Sequence, residues 1–96
     1  MAKVYFVSVY RQINHPDKLA AYAELAGPAI EAGGGRFLAR GMAAKAYEAG
    51  RLERTVIIEF DSLAQVVAMY EGPAYQRALE ALGDGAVRDV RIVGGV

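Results

Sequence analysis

The chain has 96 residues, the size of one small domain, and 54% of them are hydrophobic. Eleven basic and eleven acidic side chains give a formal net charge of zero, which excludes the basic field that nucleic-acid binding requires. The absence of cysteine excludes disulfides and thiolate chemistry, and no apolar run approaches the roughly 20 residues of a membrane span. We therefore expect a single soluble, cytoplasmic domain over residues 1–96, with neither nucleic acid nor membrane as a partner.

Several segments of the chain have the composition of β-strands, rich in β-branched and aromatic residues. The first is apolar at both parities, which is typical of a central strand that is covered on both faces. The second alternates, and we expect it to continue over residues 44–48 past a bulge at Gly41 and Met42. The predicted strands are residues 3–11, 36–40, 53–60 and 86–93.

Apolar residues at spacings of three and four predict helices between these strands. The first predicted helix begins at Pro16 and ends before Gly33, because proline suits the first helical turn and glycine the C-terminal cap. The second follows Ser62, which begins a capping-box pattern. A further helical stretch runs from Pro73 to Leu82.

The resulting order is β-α-β-β-α-(α)-β, which is the ferredoxin-like pattern. Right-handed crossovers place the helical layers on one face of a four-stranded antiparallel sheet. The other face then has no cover, although its strands are apolar. The sequence therefore predicts an α+β domain, a dimeric α/β barrel in which the open sheet face packs against a second copy to form a homodimer.

The segment GGGRFLARG, residues 33–41, combines glycines with two arginines and has the composition of a phosphate-binding loop. Such a loop follows a strand and leads into a helix, so that free N–H groups of the helix meet the anion. Here the order is reversed, since a predicted helix precedes the glycines and a predicted strand follows them. We interpret the glycines as the turn between these elements.

Strict alternation places Arg36 and Arg40 on one side of their strand and Phe37 on the other, where it packs under the helices. On the next strand, Glu59 has the parity of the open face, so we expect it within cross-strand reach of Arg40. Two interpretations stay open. Arg40 and Glu59 form a structural ion pair at a subunit interface, or Arg40 clamps an anion while Glu59 orients it or acts as a base.

Tyr75 and His15 are further candidates. Tyr75 follows a helix break and is a candidate ligand-binding residue, as is Arg36, although aromatic residues at helical spacing are more often core. His15, with Asn14 as the alternative, is the predicted N-cap, and a lone histidine without a carboxylate cluster forms no metal site. Ser8 has no recognisable histidine base, so nucleophilic catalysis has no support. We predict neither a metal nor a bound cofactor.

Taken in order, the segments GGGRFLARG, TVIIEFDSLAQ and YEGPAYQRAL closely resemble the domain-of-unknown-function 1330 family, over nearly the whole chain. That family belongs to the dimeric α/β-barrel superfamily of ferredoxin-like folds, which includes small monooxygenases, haem-dependent enzymes and ligand-sensing domains. At His15 the family more often has an aspartate before the proline. The resemblance implies the fold and a dimer but no reaction, since fold does not carry function across a superfamily.

We expect a small homodimer with a cleft for a small, anionic or carboxylate-bearing molecule. One alternative is a cofactor-independent enzyme, monooxygenase- or isomerase-like, with Arg40 as anion anchor and Glu59 as acid or base. The other is a binding or structural module without chemistry. The environment of Glu59 separates them, because a buried carboxylate in a cleft favours the enzyme, whereas a carboxylate bonded to Arg40 and sealed from any pocket favours the structural role.

Overall fold

The computed structural model describes residues 2–96, and its elements follow the predicted order. The predicted extension of the second strand over residues 44–48 is wrong, because the strand ends at Met42 and Tyr47 is 74% exposed, with no covered surface to pack on. The strands are β1 (Val4–Ile13), β2 (Arg36–Met42), β3 (Arg54–Phe60) and β4 (Ala86–Gly94), and the helices are α1 (Pro16–Ala32), α2 (Leu63–Glu71) and α3 (Pro73–Leu82).

The strands form one antiparallel sheet in the order β2-β3-β1-β4. β1 is a central strand, as predicted, and pairs with β3 on one side and β4 on the other. Phe6 of β1 lies between Ile58 and Ile92, so these side chains share one face of the sheet.

The core lies between this face and the helices. From the sheet it takes the residues of one parity, among them Phe6, Ile58 and Phe60, which are at most 1% exposed. From the helices it takes Tyr22, Ala26, Ile30, Val66, Met69, Tyr75, Ala78 and Leu82. The ferredoxin-like α+β fold predicted from the order of elements is confirmed. We call the other side of the sheet the open face, because no helix of residues 2–96 packs on it.

The helix starts combine predicted and unpredicted contacts. Ser62 Oγ accepts a hydrogen bond from the backbone N–H of Gln65 over 3.2 Å, which confirms the predicted cap of α2. His15 occupies the N-cap position of α1, but its side chain makes no capping bond. Instead the backbone N–H of His15 donates to the carbonyl of Gly85 over 3.0 Å, so that the start of α1 is held by the turn before β4.

A β-bulge in β2 changes which residues of this strand face the helices. The pairing with β3 shifts by one residue between Phe37 and Ala39, so Leu38 is the extra residue. The bulge predicted at Gly41 and Met42 is wrong, since both pair with β3 without a further shift. Because side chains alternate with a period of two, one extra residue sends every later side chain of β2 to the face opposite to the one expected.

The glycines at 33–35 form the turn between α1 and β2, which confirms their structural interpretation. Gly34 adopts a φ of +97°, a conformation that favours glycine. Gly35 lies against the core, and a Cβ atom there would be 2.5 Å from Ile30 Cγ2 and 2.8 Å from Phe60 Cζ. The turn therefore needs glycine for close packing as well as for its backbone conformation.

We expect Gly35→Ala to lower the free energy of unfolding by about 1–3 kcal/mol, because the added methyl group overpacks the contact with Ile30 and Phe60. Gly27→Ala is the matched control, since a Cβ at Gly27 within α1 meets no atom within 4 Å. It should raise the free energy of unfolding by about 0.5–1 kcal/mol through helix propensity. Urea unfolding of both variants measures these changes, and equal stability of Gly35→Ala and wild type would contradict the packing.

Candidate functional site

Glu59 and Arg36 lie on the open face of the sheet and are bonded to each other. Arg36 Nε donates to Glu59 Oε1 over 3.1 Å, and the hydroxyl of Tyr5 donates to Glu59 Oε2 over 3.1 Å. Arg36 Nη2 also donates to Asp61 over 2.9 Å. Hydrogen bonds from Lys3 and Arg36 hold the pKa of the Asp61 carboxyl below its usual value. Glu59 is thus part of a partly exposed charge network.

Arg40 lies on the other side of the sheet, facing the helices. It pairs with Val56 of β3, which is buried. Its guanidinium carbon is 4.2 Å from the centroid of the Phe37 ring, a cation–π contact. The predicted pairing of Arg40 with Glu59 is therefore wrong, because the bulge at Leu38 reverses the side on which the later residues of β2 emerge.

Arg40 lines a cavity between the sheet and α1. The cavity has a volume of about 30 Å³. Since one water molecule needs about 10–15 Å³ measured in this way, the space holds two or three water-sized atoms, and the rest of a larger anion would extend toward the open side of the cavity. Apolar side chains form most of the wall, and no described residue of the wall is acidic. The polar residues of the wall are Ser8, Tyr10, Tyr22, Arg40, Arg54 and Arg88.

The arginines of this wall, Arg40, Arg54 and Arg88, take part in no salt bridge within residues 2–96. Two of them flank the ring of Tyr10, with the guanidinium carbons of Arg54 and Arg88 at 6.0 and 5.8 Å from its centroid. The Nε atom of Arg54 is buried and has no hydrogen-bond partner among the described residues. Positive charge therefore converges on a small cavity without a carboxylate to balance it.

A pair of tyrosines closes one end of this arrangement. The hydroxyls of Tyr22 and Tyr75 are 2.6 Å apart, and Arg88 Nη1 donates to them over 2.9 and 3.5 Å. Burial raises the pKa of Tyr22 well above its usual value, so the hydroxyl stays protonated at neutral pH. Tyr75 is fully buried behind Tyr22, outside the cavity wall. Tyr75 is therefore hydrogen-bonded to a residue of the wall, Tyr22, and does not line the cavity itself.

Either hydroxyl can be the donor in the hydrogen bond between Tyr22 and Tyr75. One hydroxyl proton joins the pair, and the other needs an acceptor outside it.

Arg54 and Arg88 were not predicted as site residues, and Ser8 was considered only as a nucleophile. The sequence does contain a signal for them, which is strand parity. Ser8 alternates with aromatic residues that face the core, Arg54 has the parity of the buried Val56, and Arg88 has that of Val90. The inward position of a polar residue on a strand therefore indicates a site more strongly than the type of the residue does.

His15 lies away from this cavity. At the start of α1, its Nε2 is 3.8 Å from Oδ2 of Asp84, a residue of the turn before β4, and the His15 side chain is half exposed. Within residues 2–96 the acidic and histidine side chains form no group of three that could hold a metal ion. In the same range no helix has both the length and the apolar character needed to cross a membrane.

We expect a double-mutant cycle on Arg36→Met and Glu59→Gln to give a coupling of about 0.2–1 kcal/mol in the free energy of unfolding, because the pair is partly exposed. Arg40→Met and Glu59→Gln should be additive, since the two side chains lie on opposite faces. Urea unfolding of the single and double variants tests both statements. A coupling of Arg40 with Glu59 larger than that of Arg36 would contradict the described register.

The fold is shared with several solved structures. The RPA0582 protein of unknown function from Rhodopseudomonas palustris superposes with a TM-score of 0.70 at 24% identity, over 98% of this chain and 81% of that one. A dimeric ferredoxin-like protein of unknown function from Thermobifida fusca gives 0.69 at 17%, over 98% and 92%. SnoaB, a cofactor-independent oxygenase from Streptomyces nogalater, gives 0.66 at 12%, over 100% and 95%. At these identities the likeness shows the fold alone.

The sequence comparisons agree with this architecture. No curated protein matches the chain. One family model, described as a domain of unknown function (DUF1330), matches residues 3–96 and so covers nearly the whole domain. The chain therefore belongs to the DUF1330 family, as the resemblance of its sequence implied.

Proposed function

We propose that the protein binds a small carboxylate-bearing molecule, or another small anion, in the cavity between the sheet and α1. The observation that carries this proposal is the convergence of Arg40, Arg54 and Arg88 on a wall without an acidic residue among those described. Such a wall is complementary in charge to an anion.

The energetics of Arg54 and Arg88 support an anionic ligand. Removing a charge from water costs free energy unless a counter-charge or hydrogen bonds replace the lost solvation. Arg88 gains the tyrosine hydroxyls, whereas the buried Nε of Arg54 has no partner among the described residues. A carboxylate would supply that partner, and its two oxygens match the planar donor pattern of a guanidinium.

The net charge of the chain is zero, so attraction of an anion depends on where the charges lie. Arg36 and Arg91 are bonded to carboxylates on the open face. The arginines of the cavity wall have aromatic rings rather than carboxylates as neighbours. This separation leaves a local positive potential on the helix side of the sheet.

We favour ligand binding over the alternative predicted from the sequence, an enzyme in which Arg40 and Glu59 act on the same molecule. The two side chains emerge on opposite faces of the sheet, so one ligand within a subunit does not contact both. Glu59 is bonded to Arg36 rather than to Arg40. The oxygenase name of one structural relative belongs to a fold likeness at 12% identity and supports no reaction for this chain.

Thermal melts with formate, acetate, propionate and phosphate test the anion site, with chloride at equal ionic strength as the salt control. We expect at least one of the four anions to raise Tm by several degrees beyond chloride. A ligand at 100 times its Kd stabilises the folded state by about 2.7 kcal/mol, and each 1 kcal/mol raises Tm by about 4–8 °C in a domain of this size.

Arg40→Met and Arg54→Met should each lose most of that shift while they stay folded without ligand. Arg77→Met is the matched control, because Arg77 is an exposed residue of α3 outside the cavity wall. It should respond to anions as wild type does. Equal shifts in all three variants, or no shift of wild type beyond chloride, would refute the anion site.

We also propose that the protein is a homodimer formed through the open face. Apolar side chains of this face are exposed, among them Val9 at 38% and Val93 at 54%. Exposed apolar area on a sheet is a common basis of association, and one two-fold axis suffices to bury it on both copies. A structural relative described as dimeric shares the fold.

Sedimentation at micromolar concentration should show a dimer, consistent with a total buried area well above about 1,000 Å². Val9→Lys should weaken the dimer strongly, because the substitution places a charge in the apolar contact. Within the subunit the new lysine lies beside Asp89, the cross-strand neighbour of Val9, which limits charge repulsion. Val67→Lys on α2 is the control, since Val67 at 39% is as exposed as Val9 to within one per cent but lies on the helix side. A wild-type monomer, or equal effects of both variants, would refute the interface.

A further inference from the structure

The hydroxyl of Ser8 is a buried polar group that the anion site does not use. Ser8 is 2% exposed, and its Oγ has no hydrogen-bond partner among the described residues. It lies in the middle of β1, whose backbone groups are engaged with β3 on one side and β4 on the other. A buried hydroxyl without a partner costs free energy, so its place between the buried Phe6 and Tyr10 on β1 calls for a reason.

Ser8 lines the same cavity as Arg40 and Arg54. Ser8 pairs with Val56, and Val56 pairs with Arg40, so these residues form one row across β1, β3 and β2. Adjacent strands are about 4.8 Å apart, so the backbones of Ser8 and Arg40 are about 10 Å apart on the same face. The Arg40 guanidinium lies over the ring of Phe37, which also lines the cavity.

Arg54 is nearer to Ser8 than Arg40 is in the register of the sheet. It lies two residues before Val56 on β3, which makes it a diagonal neighbour of Ser8 on the same face. Diagonal neighbours are about 7–8 Å apart, within reach of a long side chain. The buried Nε of Arg54 and the Oγ of Ser8 are thus two unpartnered groups on one small cavity.

The chemistry of the two groups differs. The guanidinium is a donor only and matches a carboxylate, whereas a hydroxyl both donates and accepts and so matches a carbonyl or hydroxyl oxygen. The cavity volume of about 30 Å³ holds two or three water-sized atoms, so the oxygens that make both contacts belong to one short molecule whose remaining atoms extend toward the open side of the cavity. Its second oxygen must then lie close to its carboxylate.

We infer that the ligand is a short 2-hydroxy or 2-oxo carboxylic acid, with its carboxylate on Arg40 and Arg54 and its second oxygen hydrogen-bonded by Ser8. This inference rests on the proposed anion site and adds to it a residue that determines specificity. Ser8 discriminates between acids of equal charge and similar size by the presence of one oxygen.

Matched acids test the inference by isothermal titration calorimetry: propionate against lactate and pyruvate, and acetate against glycolate and glyoxylate. Wild type should bind the oxygenated acids about 3- to 10-fold more tightly than the parent acids, the range expected for one hydrogen bond. Ser8→Ala should bring that ratio to about 1 and leave the affinities for propionate and acetate unchanged. Ser62→Ala, which removes a helix cap outside the cavity, should lower Tm but keep the ratio.

The unliganded Ser8→Ala protein provides a second readout. Because the hydroxyl bonds to no described group, its removal should leave Tm equal to or above that of wild type. A Tm well below wild type would reveal a structural role and overturn the inference.

The two levels of the proposal fail differently. If propionate and acetate bind as tightly as their oxygenated counterparts, or if Ser8→Ala keeps the preference, the role of Ser8 is overturned and the anion site stands. If none of the six acids binds wild type, the carboxylate site is refuted and the assignment of Ser8 is refuted with it.

Discussion

The pleat of the sheet determines which side chains meet in this protein, because the helices of residues 2–96 cover one face and leave the other open. Successive residues of a strand point to opposite faces, so parity decides whether a side chain joins the core or the open face. The inward parity that buries Phe6 and Phe60 also brings Ser8 and Arg54 into the space beneath α1. The extra residue in β2, Leu38, adds Arg40 to the same space.

The same pleat divides the arginines into two groups with different electrostatic surroundings. Those of the open face neutralise carboxylates at short range, as Arg36 does with Glu59 and Arg91 with Asp89. These pairs are partly exposed and contribute little to stability. Those of the inner face have ring faces as neighbours, which attract a cation but do not neutralise it. A chain without net charge therefore contains a cavity with a positive wall.

The tyrosine pair joins three elements of the fold at that wall. Tyr22 comes from α1, Tyr75 from α3 and Arg88 from β4, and their hydrogen bonds join these elements. The rings meet edge to face, with centroids 5.9 Å apart and an interplanar angle of 81°, a favourable aromatic geometry. A site whose donors are held by packed elements loses little entropy when a ligand binds. Tyr75, a candidate ligand contact from the sequence, bonds to Tyr22 and does not line the cavity.

The sequence by itself determined the order of helices and strands, the glycine turn before Arg36 and the inward parity of β3. These features depend on local periodicity and backbone preference, which a short window of residues contains. Only the tertiary structure decided where β2 bulges, because a bulge is defined by pairing with the partner strand and GGGRFLARG alternates equally well without it. The partner of Glu59 followed from the strand register, which places Arg36 opposite it. Only the tertiary structure decided that Ser8, Arg54 and Arg88 meet. They come from strands distant in sequence, and the register between these strands brings them to one cavity.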